Sequence, residues 1–141
     1  HDCAKEIPNA KAKELLTETY GLSIDPIAMH MHKLLHGPLG ACIAQHEFEI
    51  YDPEILDAIK YHTTAKANMS MLTKIIYIAD YIEPNRDFEG VEQLRELAYD
   101  DIDKAILLGI DFTIEELIER GRMFHPDTVH ARNWLLMKNS D

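Results

Sequence analysis

Cysteine is scarce in this sequence of 141 residues, which contains only Cys3 and Cys42. The two lie far apart and show no pairing pattern, so a disulfide framework is not expected. We therefore predict two reduced thiols in a cytoplasmic protein. A metal-ligand role for either cysteine is the less favoured alternative.

Long apolar runs are also absent. The most apolar stretch, 71–82, is interrupted by Lys74 and Asp80 and is shorter than the ~20 residues that a membrane-spanning helix needs. No secretory signal is visible at the start, although His1 need not be the first residue of the natural protein. We therefore expect no membrane association.

Basic residues are few: 14 of them stand against 25 acidic residues, which gives a net charge of −11. Proteins that bind long nucleic acids need a basic face, so this balance argues against that class of partner. It does not exclude a small anionic substrate, because a few local cations and bound metal ions can reverse the potential inside one pocket.

The remaining composition is that of a packed globular domain, since 46% of the residues are apolar and the length suits one hydrophobic core. Apolar residues recur at helical spacing and no alternating run is long enough for a strand. We predict a single all-α domain over 1–141. The expected helices lie at 9–20, just after Asp25, at 36–48, 53–62, 70–83, from 91, at 101–120 and at 126–137.

Local signals mark several helix starts. Asp52 followed by Pro53 combines a capping side chain with a proline at the first helical position. Ser70 is expected to cap the helix that follows it, and Asn9 to cap the first helix. Within the helix that begins at Pro53, the apolar side chains expected to point inward are Ile55, Leu56 and Ile59.

Histidine is abundant, with eight residues. His1 and Asp2 are adjacent, His36 precedes a Gly-Pro pair, and His62 ends a predicted helix. Each alone has an ordinary interpretation as a turn or helix-end residue. Asp80 lies in an apolar helix, where an ionised carboxylate is costly unless it pairs with a Tyr or Lys or binds metal. The remaining histidines are interpreted as surface or structural residues: His30, His32, His46 and His130.

The ordered series His1-Asp2, His36, His62 and Asp80 resembles the HD-domain superfamily in its two-metal form. Further stretches resemble one family within it, the YqeK-type HD-domain hydrolases. Members of that family carry an additional N-terminal segment with the first metal histidine, whereas this sequence starts on the His-Asp pair. The stretches that carry the resemblance are 1–5, Leu35-His36-Gly37-Pro38, Tyr61-His62-Thr63-Thr64, 74–84, Arg86-Asp87-Phe88, Gly90-Val91 and His125-Pro126-Asp127-Thr128.

The resemblance implies an HD-domain helical bundle that holds two divalent metal ions, with iron expected first and manganese or other ions as alternatives. The implied ligands are His1, Asp2, His36, His62 and Asp80, and Asp2 would bridge the ions. The implied reaction is the symmetrical hydrolysis of diadenosine tetraphosphate to two ADP, by attack of a metal-bound hydroxide on phosphorus. A homodimer is a further expectation from the family.

Cations and hydroxyls are expected to bind the nucleotide. Lys5 and Arg86 are candidate phosphate-binding and catalytic residues alongside Asp2, although each also has an ordinary interpretation as a surface charge. Thr63 and the segment that starts at His125 are candidates for the nucleotide pocket, with Asp127 and Thr128 as its other polar residues. The ordinary interpretation of that segment is a helix cap.

Other functions fit parts of the pattern. An HD phosphohydrolase could act on another nucleotide, such as a monophosphate or a cyclic nucleotide. A non-catalytic module could bind nucleotide or metal without turnover, and a helical scaffold could carry scattered histidines. Replacement of Asp80 separates the scaffold from the metal site, because a scaffold would change only in stability.

Overall fold

The computed structural model describes residues 1–139, and no β-strand occurs among them. This confirms the all-α prediction. In chain order the helices are α1 (Asn9–Glu14), which continues as a π-helical turn (Leu15–Thr19), α2 (Pro26–His30), a 3₁₀ turn (His32–Leu34), α3 (His36–Glu47), α4 (Pro53–Lys60), α5 (Met71–Ile82), α6 (Val91–Asp100), α7 (Ile102–Glu119) and α8 (Pro126–Asn139). None of the helices described is long and apolar enough to cross a membrane.

Short polar side chains begin four of these helices. The carboxylates of Asp25, Asp52 and Asp101 and the hydroxyl of Ser70 each accept a hydrogen bond from a backbone N–H in the following turn, at 2.9–3.2 Å. These N–H groups have no partner inside the helix, so each such bond stabilises the helix start. The predicted starts at Asp52 and Ser70 are thereby confirmed.

Two local predictions were wrong. Asn9 does not cap the first helix: it is the first helical residue after Pro8, and its amide instead contacts the ring of His32 at 2.9 Å. Ile55 does not point inward, since it is 38% exposed. The buried apolar side chains of α4 are Ala58 and Ile59, because this short helix is covered by α3 on one side and α5 on the other.

The interior is divided into two apolar clusters. The N-terminal core gathers side chains from α1, α2 and α3, and the C-terminal core gathers side chains from α5 to α8. The largest fully buried side chains of the C-terminal core are Leu94, Ile106, Ile110 and Leu135. The segments between α3 and α5 therefore lie where the two cores meet.

A polar link fixes α5 against α7 and α8. The buried ammonium group of Lys74 lies 2.7 Å from Asp103 Oδ1, and the Nζ of Lys138 lies 2.9 Å from Asp103 Oδ2. Partial burial alone would raise the pKa of Asp103, but the two lysines outweigh it and lower the pKa below its usual value. Since α5 carries Asp80, this link also fixes the helix that presents a candidate ligand.

Truncation of Ile106 tests the importance of the C-terminal core. Ile106→Ala should lower the free energy of unfolding by about 2–5 kcal/mol, because it leaves a cavity in a closely packed site. Ile118→Ala, on the same helix but 63% exposed, should change it by no more than about 0.5 kcal/mol. Urea unfolding followed by circular dichroism measures both, and equal losses would contradict this assignment of the core.

Candidate metal centre

Five side chains from four separate segments meet at the boundary between the two cores. His1 and Asp2 precede α1, His36 is the first residue of α3, His62 lies in the turn after α4, and Asp80 is in the last turn of α5. Their imidazole nitrogens and carboxylate oxygens form two groups of three, each within 4.8 Å. One group contains His1, His62 and Asp80, and the other contains Asp2, His36 and His62.

Two glycines near the start of α3 allow this convergence. A Cβ atom on Gly37 would lie 2.6 Å from the carbonyl oxygen of Lys60, so only glycine lets α3 approach the end of α4 this closely. A Cβ atom on Gly40 would lie 3.2 Å from Ile59 and 3.4 Å from the carbonyl oxygen of His1. The same short stretch of α3 therefore brings His36 beside His62 and makes room for the His1-Asp2 segment.

The distances between the donor atoms are those of ligands around a common ion. His36 Nε2 and His62 Nε2 are 2.9 Å apart, and these two atoms lie 3.5 and 3.2 Å from Asp2 Oδ1. His1 Nε2 lies 3.3 Å from Asp2 Oδ2 and 3.5 Å from Asp80 Oδ1. Metal bonds of about 2.0–2.2 Å place neighbouring ligand atoms roughly 3.0–3.5 Å apart.

The environment of His62 favours the neutral ring that a metal requires. Its Nδ1 donates to the carbonyl of Ile59 at 2.7 Å. Burial lowers the pKa of His62, and this effect outweighs the opposing influence of the Ile59 carbonyl. Since Nδ1 holds the proton, the lone pair of Nε2 faces the Asp2 carboxylate. Two hydrogen-bond acceptors then face each other, and a cation between them would stabilise this arrangement. The donor set therefore fits a divalent metal.

One cationic side chain, that of Arg86, lies near the centre, and a second, Lys5, belongs to the turn that follows two of the candidate ligands. Arg86, which is 46% exposed, donates from Nε to the carbonyl of Asp80 at 3.3 Å, and its Nη2 lies 3.8 Å from Asp80 Oδ1. Lys5 lies in the turn after the His-Asp pair, where its backbone N–H bonds to the Asp2 carbonyl at 3.0 Å. The side chain of Lys5 is exposed and forms no ion pair within residues 1–139.

A cavity of about 310 Å³ adjoins these segments, lined by Thr63 and by residues next to His36 and His62. The Thr63 hydroxyl is buried and has no hydrogen-bond partner in the described part of the chain. His125 and Asp127 also line the cavity, as do apolar side chains such as Ile24 and Leu34. A buried hydroxyl without a partner costs free energy, and the residue that carries it lies in the wall of this cavity.

The segment that begins at His125 forms the start of α8. His125 Nδ1 accepts a hydrogen bond from the Asp127 N–H at 3.1 Å, so the histidine caps the helix. Thr128 is buried, and its hydroxyl donates to the carbonyl of Thr64 at 2.9 Å. The structure thus brings His125, Asp127 and Thr63 to one cavity. Thr128 does not line this cavity but bonds α8 to Thr64, which does.

Sequence reasoning missed two residues around the site. The carboxylate of Asp25, which also caps α2, accepts a hydrogen bond from His125 Nε2 at 2.9 Å across 100 positions of sequence. Arg95 donates to backbone carbonyls of the segment 82–86. No local pattern predicts either contact. His125 and Asp25 are 100 positions apart, and Arg95 reaches back 9 to 13 positions to carbonyls outside its own helix.

The model of the HD-domain family matches residues 1–85. The chain is 39% identical to the symmetrical bis(5'-nucleosyl)-tetraphosphatase of Bacillus subtilis, with 96% of the chain aligned to 72% of that protein. It is 41% identical to the protein of the same name from Halalkalibacterium halodurans, with 98% of the chain aligned to 73% of the relative.

A solved structure is also closely similar. It is the crystal structure of a predicted HD superfamily hydrolase involved in NAD metabolism, from Clostridium acetobutylicum, and it superposes with a TM-score of 0.93 at 43% sequence identity. The superposition covers 98% of this chain and 72% of that one. The helical arrangement described above is therefore shared along almost the whole chain.

Substitution of Gly37 tests whether the backbone contact with Lys60 assembles the metal centre. Gly37→Ala should weaken Mn²⁺ binding by about 10- to 100-fold, because the added methyl group forces α3 away from α4 and separates His36 from His62. Gly109→Ala is the matched control, since a Cβ there would make only ordinary contacts of 3.6 Å with Tyr81. Competition titrations measure both, and unchanged binding in Gly37→Ala would contradict the role of this contact.

Acid should remove the stabilisation that Asp25 provides. Partial burial alone would raise the pKa of Asp25, but hydrogen bonds from Ala28 N–H and His125 outweigh it and hold the pKa below its ordinary value of 3.8. Folding lowers the pKa of this carboxyl group, so its ionised form stabilises the folded protein at any pH above the ordinary pKa of the group. The contribution is lost as the pH falls through the lower pKa that the group has in the folded protein. The Tm deficit of Asp25→Asn should thus be present at neutral pH and shrink below about pH 4. A deficit that grows with acid would contradict the assignment.

Proposed function

The chain belongs to the HD-domain family, and we propose that it is a metal-dependent phosphohydrolase that cleaves diadenosine tetraphosphate symmetrically into two ADP. The observation that carries the proposal is the meeting of three imidazoles and two carboxylates at one centre, with a cavity beside it. Relatives at 39% and 41% identity, aligned along nearly the whole chain, are symmetrical bis(5'-nucleosyl)-tetraphosphatases.

We assign two metal ions to the centre, with iron as the first candidate and manganese as the next, since nitrogen and oxygen donors suit both. The two oxygens of Asp2 face different histidines: Oδ1 lies near His36 and His62, and Oδ2 lies near His1. This orientation supports Asp2 as the bridging ligand. When bound, such ions make water more acidic and neutralise charge on phosphate oxygens.

Arg86 and Lys5 are assigned to the polyphosphate. The Arg86 guanidinium stays close to the Asp80 carboxylate yet is half exposed, so its planar group can offer two parallel hydrogen bonds to a phosphate that reaches the centre. Lys5, in the turn after Asp2, supplies a second positive charge on an exposed stem. In a chain with a net charge of −11, such local cations are what allow a highly anionic substrate to approach.

The cavity is assigned to one nucleoside of the substrate. Its volume of about 310 Å³ lies at the lower end of ligand cavities and suits one nucleoside rather than two. Thr63, His125 and Asp127 line this cavity and are assigned to the sugar or base. Both ring nitrogens of His125 already bond to Asp25 and to the Asp127 N–H, so this histidine is assigned to the cavity through its ring rather than through a nitrogen. Thr128 holds the cavity wall. A homodimer, which the family resemblance implies, stays a prediction.

Product analysis tests the reaction. Protein with its natural N-terminus, supplied with Fe²⁺, should convert diadenosine tetraphosphate to ADP alone, and hydrolysis in H₂¹⁸O should place one heavy oxygen in one of the two ADP molecules. Chromatography and mass spectrometry measure the products. Absence of ADP would refute the proposal, and formation of ATP with AMP would indicate cleavage at another bond.

A substitution of Asp80 shows whether turnover depends on the metal centre. Asp80→Ala should lose bound metal and reduce turnover by about 100-fold or more. Asp100→Ala, at the exposed end of α6, is the control and should change neither. An Asp80 variant that loses stability while retaining metal and turnover would favour a scaffold role for this residue.

A further inference from the structure

Arg95 holds the segment that joins the end of α5 to Arg86. It projects from α6, and its guanidinium donates to three backbone carbonyls: from Nε to Ile82 at 3.0 Å, and from Nη2 to Glu83 at 3.0 Å and to Arg86 at 2.8 Å. Its remaining Nη1 group bonds to Glu92. Its side chain is 24% exposed; the contacts with Ile82 and Glu83 are partly buried, and the contact with Arg86 is exposed.

The end of α5 needs such a donor. The last four carbonyls of a helix have no N–H partner within the helix, and they carry its partial negative charge. Glycine in the left-handed conformation often supplies the partner, but Glu83, at the end of α5, is extended at φ −56° and ψ 156°, the conformation that a following proline favours. Arg95 therefore takes the place of a local C-cap with a side chain from another helix.

The same contact determines where Arg86 lies. The backbone N–H of Arg86 bonds to the Glu83 carbonyl at 2.9 Å, which closes a turn over 83–86. Within this turn the Arg86 side chain reaches back to the Asp80 carbonyl. Arg95 binds the carbonyls at both ends of the turn, so the position of the Arg86 guanidinium relative to Asp80 depends on it.

We propose that Arg95 is a positioning residue for the reaction: it fixes the turn that presents Arg86 to the polyphosphate without itself touching the substrate. This inference rests on the proposed function. Asp80 lies within α5 and its carboxylate does not contact Arg95, so loss of Arg95 should impair phosphate binding through Arg86 while leaving the metal ligands assembled.

Kinetics test the inference. Arg95→Met should raise KM for diadenosine tetraphosphate and lower kcat/KM by about 10- to 100-fold, with the metal content per chain unchanged. Arg95→Lys should recover only part of the loss, because an ammonium group cannot reproduce the planar arrangement of donors that bonds three carbonyls. Arg132→Met is the matched control: it removes another half-buried guanidinium, bonded to Asp111 at 2.6 Å, and should leave kcat/KM near the wild-type value.

A double variant distinguishes positioning from general destabilisation. If Arg95 acts through Arg86, adding Arg95→Met to Arg86→Met should lower kcat/KM by little more than Arg86→Met alone. Losses that multiply in the double variant, or an Arg95→Met enzyme with wild-type kcat/KM, would overturn the inference.

Hydrogen exchange gives a readout that does not need turnover. In Arg95→Met the backbone amide of Arg86 should exchange faster, with exchange in the C-terminal core unchanged. Unchanged exchange at Arg86 would overturn the inference even in an active enzyme. If the wild-type protein shows this protection and still does not cleave diadenosine tetraphosphate, the proposed function fails while the structural role of Arg95 stands.

Discussion

At Gly37 the first turn of α3 comes so close to the end of α4 that a methyl group would lie 2.6 Å from the Lys60 carbonyl oxygen. That contact places His36 and His62 with their Nε2 atoms 2.9 Å apart. Burial lowers the pKa of His62, and the two Nε2 atoms both lie within 3.5 Å of Asp2 Oδ1. The helix packing around Gly37 therefore has its clearest physical explanation in a cation that both rings and Asp2 can share.

The position of the centre between two hydrophobic cores explains its mixture of burial and exposure. His62 lies in the interior and its ring is oriented by the Ile59 carbonyl, while the side chains of His1, Asp2 and Asp80 remain 27–37% exposed. A metal site needs both conditions, since buried ligands with fixed tautomers bind the ion and an open side admits the substrate. Because the chain carries a net charge of −11, an anionic ligand that approaches the centre depends on the local positive charge near Asp80.

Contacts between distant segments hold the surroundings of the centre. His125 at the start of α8 bonds to Asp25 at the start of α2, and Arg95 in α6 bonds to the carbonyls at the end of α5. Lys74 and Asp103 hold α5 against α7. In each case a charged or polar side chain satisfies groups at a helix end or in the interior that would otherwise be costly. The candidate site is thus supported by polar contacts as well as by the two cores.

The sequence by itself determined the features that depend only on residues close to one another along the chain. The caps at Asp52 and Ser70 act within one turn of their own helices, and the helical spacing of apolar residues predicted the all-α fold. Resemblance to a known family identified the five candidate ligands, but it did not place them in space. Only the tertiary structure decided that the candidate ligands converge, that Ile55 faces outward and that Asn9 contacts His32 instead of capping its helix. It also decided that Arg95 bonds to the end of α5 and that Asp25 bonds to His125. Those outcomes depend on which helices pack together, and that packing is set by the whole chain, so no local pattern in the sequence contains it.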